Sequence, residues 1–216
     1  MHTPGPSLPP ETPDSGGDSR DARRADFVAA TLACLAEYGY QGTTVRRIAE
    51  RAGVAPGLLT HYFSGKDALV AAAYRTLGGR FSRHFDEQIA AAGKDPKARL
   101  AAFIRASFRS PNLDPDLLKV WVNFWSLIVN DPEIRRIHAE NYADYRTRVA
   151  GLVEAVMASE DRQVARRDLE MLAIGISALL DGLWLELCLD QSVFDTASGE
   201  QIALEMIATR IGVPIP

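Results

Sequence analysis

Residues 44–63 read TVRRIAERAGVAPGLLTHYF, and the spacing inside this stretch sets the expectation for the N-terminal part of the chain. Val45, Ile48, Ala49 and Ala52 fall at i, i+3, i+4 and i+7, which is one apolar stripe along a short helix. Thr43 or Thr44 supplies the side-chain oxygen that caps its free N–H groups, and Gly53 stops it. Pro56 suits the first turn of a second helix, where its missing N–H had no intrahelical partner anyway. That helix is barely two turns long and ends near Phe63. A short helix, a glycine turn and a second short helix form the helix-turn-helix plan, in which the second helix enters the major groove of DNA. Val45, Ile48, Ala49, Val54, Leu58, Leu59 and Phe63 supply the packing, and Thr60, His61 and Tyr62 remain near the exposed end of the second helix. Gly57 lets the backbone come close to DNA, and Arg46, Arg47 and Arg51 lie on the polar side of the first helix, where they can meet phosphates. Periodicity alone admits a second reading, a plain αα-hairpin with a solvated charged face.

Upstream, a helix is expected from about Ala22 to Tyr38, with Phe27, Thr31, Cys34 and Tyr38 on one face and Gly39 as a left-handed C-terminal residue. Residues 1–20 are rich in proline and glycine, lack apolar periodicity and read as a disordered tail with no export signal. Downstream, Ser64-Gly65-Lys66-Asp67 has the form of a capping box that opens a long helix to about Ala92. Charge divides along the same lines. Residues 20–66 carry a net +3, whereas residues 67–216 carry −4, so a polyanion partner is expected at one end only. The chain is accordingly divided into a tail (1–20), a DNA-binding domain (21–66) and a ligand-binding and dimerisation domain (67–216).

No strand-period run appears, and the expected fold is all-α: a three-helix helix-turn-helix domain followed by a helical bundle. Further helices are expected at about 96–109, 114–130, 132–158, 166–190 and 198–212, with Pro111, Pro115 and Pro132 at boundaries. Residues 117–129 are apolar on nearly every side, with Lys119, Asn123, Ser126 and Asn130 as a single polar stripe, so this helix is expected inside the bundle. All three tryptophans, Trp121, Trp125 and Trp184, fall in this half, and Trp184 shares a helical face with Ser177, Asp181 and Cys188. The group reads either as core packing or as a ligand pocket lined by Trp121, Phe124, Trp125, Asp181 and Trp184. Residues 171–189 are apolar enough to suggest a membrane span, but Asp181 and Glu186 inside it are costly in lipid, so a packing or dimer helix is expected instead. The last two helices carry more apolar surface than a small bundle buries, and Gly175, Ala178 and Gly182 permit close helix approach. With Leu179 and Ile207 they form the expected two-fold interface of a homodimer.

The run from Arg24 to Leu69 resembles the DNA-binding domain of the TetR family: Tyr38-Gly39, then Thr44, Ile48-Ala49 and Ala52-Gly53-Val54, then His61-Tyr62-Phe63 with Lys66 and Leu69. The resemblance implies a one-component transcriptional repressor that binds a double-stranded operator. It implies phosphate contacts from Thr44, Tyr62 and Lys66, and base contacts from the recognition helix, around Pro56, Gly57, Thr60 and His61. Lys66 also stands in the first turn of a helix, where free N–H groups attract phosphate. Two positions depart from the family pattern: Ala55 replaces the usual capping serine, and Thr60 replaces a common tyrosine. In the second half, residues 119–125 (KVWVNFW) and 178–184 (ALLDGLW) resemble the sensing domain of BetI-type regulators, which respond to choline. The resemblance implies a small effector, choline or another quaternary ammonium. A neutral hydrophobic effector, or a DNA-binding protein with no ligand, stays open.

Other classes find no support. His2, His61, His84 and His138 show no metal-ligand spacing, and there is no nucleophile-elbow, phosphate-loop or dinucleotide signature, so no catalytic residue, metal or cofactor is expected. Asp181 and Glu186 lie on different helical faces and make a poor acid–base pair. Cys34 and Cys188 read as buried, reduced thiols of a cytoplasmic protein.

Overall fold

Proline and short polar side chains punctuate the chain. Pro56, Pro96, Pro115 and Pro132 each stand at the first position of a helix, and Thr44, Asp95, Asp131 and Asp195 each cap one through a side-chain oxygen. The result, in a computed structural model describing residues 16–109, 113, 115–190 and 192–216, is all-helical. The helices are α1 (Gly16–Gly42), α2 (Val45–Arg51), α3 (Pro56–Tyr62), α4 (Lys66–Ala91), α5 (Pro96–Ser107), α6 (Pro115–Ile128), α7 (Pro132–Ser159), α8 (Arg166–Leu189) and α9 (Thr196–Ile211).

Several local expectations need correction. Most of the expected tail lies outside the described residues, but residues 16–20 already belong to α1. Gly39 does take a positive φ (64°), yet one more helical turn follows it to Gly42. Two contacts hold that kink: the Tyr40 N–H donates to Asn123 Oδ1 (2.7 Å), and Thr43 donates both its N–H and its hydroxyl to the Gly39 carbonyl. The capping box at Ser64 does not form. The chain enters α4 through Gly65 at φ 141°, which makes Gly65 the cap and leaves Ser64 exposed one residue earlier.

Two apolar cores build the molecule. The first joins Phe27, Cys34 and Leu35 of α1, Ile48 and Ala49 of α2, and Leu59 of α3 to Leu69–Leu77 of α4, Phe124 of α6 and Ile134 and Ile137 of α7. The second gathers the far end of α4 (Phe85, Ile89), α5, the C-terminal half of α7, α8 and α9. The expected boundary after Lys66 therefore separates helices but not cores, because α4, α6 and α7 all reach into the first. The expectation that α6 lies inside the bundle fails: Val122 and Val129 are 46% and 68% exposed. One face of α6 lies on α1 and the first core, and the opposite face looks outward.

Helix α8 seats Leu169, Leu172, Ile176, Leu180 and Leu187 in the second core and leaves Met171, Ile174, Gly175, Ala178 and Gly182 exposed. It is long and apolar enough to cross a membrane, but Asp181 near its middle is tied to Tyr142 of α7 within the bundle. Ile207, expected at the dimer face, is 1% exposed and belongs to the chain's own core; Leu179 is half-buried against that core. Cys34 is buried and Cys188 only half-buried, and both are free thiols.

Candidate nucleic-acid interface and effector cavity

The helix-turn-helix is locked at each end by local chemistry. Thr44 Oγ1 accepts the Arg47 N–H (3.2 Å). After α2, Gly53 at φ 67° lets its own N–H reach the Glu50 carbonyl and the Val54 N–H reach that of Ala49, a glycine-dependent Schellman closure. Recognition helix α3 is anchored by Leu59 (0% exposed) and by Phe63 just beyond it, whereas Leu58, expected in the packing, is 39% exposed. Its N-cap Ala55 has the extended geometry of a cap but no side-chain bond.

Thr44, Arg46, Pro56, Gly57, Thr60 and His61 are exposed on this end of the molecule. A Cβ on Gly57 would meet nothing within 4 Å, so its surface is open for close approach. The Thr60 hydroxyl donates to the Gly57 carbonyl (2.9 Å). Tyr62 is half-buried, edge-on to Phe27 at 5.3 Å, with its carbonyl accepting from Arg24. Two of the arginines are already engaged: Arg47 bonds the Gly42 carbonyl and stacks 4.4 Å over the Tyr38 ring, and Arg51 pairs with Glu37. Arg51 is thereby turned to α1, unlike the expectation from helix phase. Lys66 Nζ donates to the Tyr40 carbonyl (3.1 Å) and lies 3.7 Å over the Tyr40 ring, while the Tyr40 hydroxyl donates to Asp67. Burial, then Asp67, pushes the Tyr40 phenol up to about 12.

The second site is a cavity of about 250 Å³ at the seam between the two cores. Trp121 and Trp125 reach it from α6, Trp184 and Asp181 from α8, so the structure brings together four of the five residues expected there. Trp125 and Trp184 meet edge to face at 6.2 Å. Phe124 does not line the cavity. It is 0% exposed and stacks on Tyr74 at 4.2 Å in the first core, because adjacent residues of a helix point about 100° apart.

The cavity also contains groups that the sequence did not single out. Tyr142 and Tyr145 line it from α7, and Phe81 and Phe85 from α4. The Tyr142 hydroxyl donates to Asp181 Oδ2 (3.0 Å), and the Tyr142 ring packs 4.3 Å from His138, whose Nδ1 meets the Tyr74 hydroxyl (2.9 Å). Aromatic residues three apart on an otherwise charged helix, as at 142 and 145, were the available signal. Burial pushes the Asp181 carboxyl up to about 6, opposed by the Tyr142 hydrogen bond and the positive charge of Arg146. Burial and the Asp181 charge drive the Tyr142 and Tyr145 phenols above their ordinary range. A ring of π-faces around one carboxylate suits a small cation.

Residues 27–73 match the family of bacterial regulatory proteins of the tetR type, and residues 96–212 match the C-terminal domain of BetI-type transcriptional repressors. The HTH-type transcriptional regulator BetI of Burkholderia thailandensis is 34% identical over 193 residues, covering 87% of this chain and 93% of the relative. Among solved structures, a transcriptional regulator from Pseudomonas aeruginosa PAO1 is 39% identical with a TM-score of 0.82, over 89% of this chain and 91% of that one. A regulator from Saccharomonospora viridis in complex with choline shares the fold, with a TM-score of 0.71 at 21% identity over 87% and 96% of the two chains. The exposed recognition helix on a sealed helical core, and the matches at both ends of the chain, lead to one conclusion: this protein belongs to the TetR family and is a DNA-binding transcriptional repressor of BetI type, not an enzyme.

Proposed function

We propose that the protein is a cytoplasmic homodimer that binds a palindromic operator and changes its DNA affinity when choline, or another small quaternary ammonium ion, enters the seam cavity. The observation that carries the effector is the cavity wall: Trp121, Trp125, Trp184 and Tyr142 around the Asp181 carboxylate. A quaternary ammonium has no N–H to donate, so aromatic faces and a nearby negative charge are what is left to hold it, at roughly 0.5–2 kcal/mol per ring. The fold itself does not choose a ligand. The lining does, and a neutral apolar effector would leave Asp181 without a role.

Operator contacts are assigned to Thr44, Arg46, Arg47, Pro56, Gly57, Thr60, His61, Tyr62 and Lys66, with phosphate as the partner of the cationic side chains. The dimer face is assigned to the exposed row Met171, Ile174, Gly175, Ala178 and Gly182 on α8, with Ile202 and Met206 on α9; Ile207 is excluded by its burial. A two-fold pair of recognition helices reads half-sites about one helical turn of DNA apart.

Calorimetry with choline and its uncharged isostere 3,3-dimethylbutanol tests this reading on wild type and on Ile174→Arg. Choline is expected to bind at least about tenfold tighter than the isostere, as cation–π and charge contributions of this size require. Ile174→Arg is expected to sediment as a folded monomer that still binds choline, because the described cavity is built from one chain, but that has lost operator affinity. Equal binding of the neutral isostere overturns the cationic effector, and a dimeric Ile174→Arg overturns the interface.

A further inference from the structure

The cavity holds one polar group that a cation does not use. Asn141 lines it from α7, one residue before Tyr142, and its Nδ2 is buried without a hydrogen-bond partner among the described residues. Folded proteins rarely leave a buried donor unsatisfied, because it loses its water and gains nothing in return. The berth for this carboxamide is made by Gly78 of α4, where a Cβ would stand 2.7 Å from Asn141 Cγ and 2.8 Å from Oδ1. Two helices are thus shaped to set an amide N–H in a ligand cavity with nothing to receive it.

The remaining charges restrict what that N–H meets. Asp144 and Asp181 both line the cavity. The Arg148 guanidinium, the cationic group in the lining, is committed to Asp86 (2.8 and 3.1 Å) and to Ser82 (2.7 Å). A ligand carboxylate would face two acids and no free cation, whereas a neutral oxygen meets a ready donor.

We propose that Asn141 reads the far end of the effector, and that the ligand is a small quaternary ammonium ion carrying a neutral hydrogen-bond acceptor, a hydroxyl or carbonyl oxygen, rather than a bare alkylammonium or a carboxylate zwitterion. The proposal rests on the cationic-effector reading above and adds a second determinant to it. Aromatic faces and Asp181 select the charge, and Asn141 selects the oxygen.

The test uses ligands that change one feature at a time. Propyltrimethylammonium replaces the hydroxyl of choline by a methyl group and keeps the charge; glycine betaine keeps the cation and adds a carboxylate. Calorimetry on the wild-type protein is expected to show choline binding about three- to tenfold tighter than propyltrimethylammonium, the range one net hydrogen bond supports, even though the propyl compound is the more apolar. Betaine is expected to bind more weakly than choline. Asn141→Leu, which keeps the size and removes the donor, is expected to bind the two cations equally and still to prefer both over 3,3-dimethylbutanol. Its unliganded melting temperature is expected not to fall, since the deleted group was unsatisfied. Equal binding of choline and propyltrimethylammonium by the wild type overturns the role of Asn141 and leaves the aromatic cage standing. So does an Asn141→Leu variant that retains the choline preference. Betaine binding as tightly as choline overturns the neutral acceptor, and loss of all three cations overturns the cationic reading beneath.

Discussion

The two halves of α4 lead different lives. Its first turns, Leu69 to Leu77, are sealed in a core shared with the helix-turn-helix, where Tyr74 lies against Phe124 with neither side chain open to water. Farther along, Gly78, Gly79 and Phe81 face a cavity with a carboxylate, a carboxamide and half-buried tryptophans. One helix therefore serves as a fixed mount for the DNA-binding helices and as the wall of a site that must accept a ligand. Helix α6 repeats the arrangement: Phe124 is locked into the first core, while Trp121 and Trp125 line the seam and Asn123 bonds Tyr40 at the kink of α1. A rigid core transmits a displacement and a seam permits one, so a wedge placed at the seam biases how the two cores sit together.

The largest effect that would break this contrast is in stability. Phe124→Ala removes a fully enclosed ring and is expected to cost about 3–5 kcal/mol in urea unfolding, with DNA binding lost as the helix-turn-helix mount loosens. Trp184→Leu, at the seam and partly open, is expected to cost less than half of that while abolishing choline binding. Similar losses of stability from the two substitutions would mean that the cavity is ordinary core and the division between halves is false.

This contrast also explains what the sequence could and could not reveal. The helix-turn-helix was readable residue by residue because its determinants are local: the Thr44 cap spans three residues, and the Gly53 closure spans five. Asp181 and the tryptophans were legible as unusual residue types. Asn141, Tyr142 and Phe81 were not, since their role depends on how α4 and α7 pack against α8, and nothing in a helical period encodes the identity of the neighbouring helix. The same limit misplaced Phe124 and Ile207. An apolar stripe states that a face is buried, but not whether in the chain's own core, in a ligand site or against a second subunit.

An intermediate effect sharpens the comparison through pH. The Asp181 carboxyl titrates near 6 in the folded chain against an ordinary value of 3.8, so the folded state holds the extra proton between those values. Stability contributed by this group is therefore greatest below about pH 4, falls as pH rises through 6, and stays lower above. Asp181→Asn is expected to melt higher than wild type at pH 8 and at the same temperature at pH 4. Choline should show the opposite trend, because it binds the ionised carboxylate: affinity rises through pH 6 and drops about tenfold at pH 5, where roughly one carboxylate in ten is ionised. Burial and Arg146 hold His138 below its ordinary 6.5, and its protonation adds a cation near Tyr142 in the same direction. His138→Gln separates the two: a pH dependence that survives Asp181→Asn but vanishes in His138→Gln assigns the titration to the imidazole.

The smallest effect probes the sealed half where it is least finished. Recognition helix α3 begins at Ala55, whose φ of −70° and ψ of 142° already suit a capping residue, yet a methyl group stands where an oxygen would accept a free N–H. Ala55 is exposed, so a slightly larger side chain meets no packing penalty. Pro56 at the first helical position removes one of the orphan donors, which leaves the next N–H groups, of Gly57 and Leu58, as the ones a serine would satisfy. Ala55→Ser is therefore expected to raise stability by about 0.5–1 kcal/mol, the lower part of the capping range because α3 is also held by Leu59 and Phe63. Hydrogen exchange at Thr60 and His61 should slow with it, while choline affinity at the distant seam stays unchanged. If the serine instead shifts choline affinity, the ends of the recognition helix and the cavity are energetically coupled in the absence of DNA, and the two halves cannot be treated as a mount and a sensor.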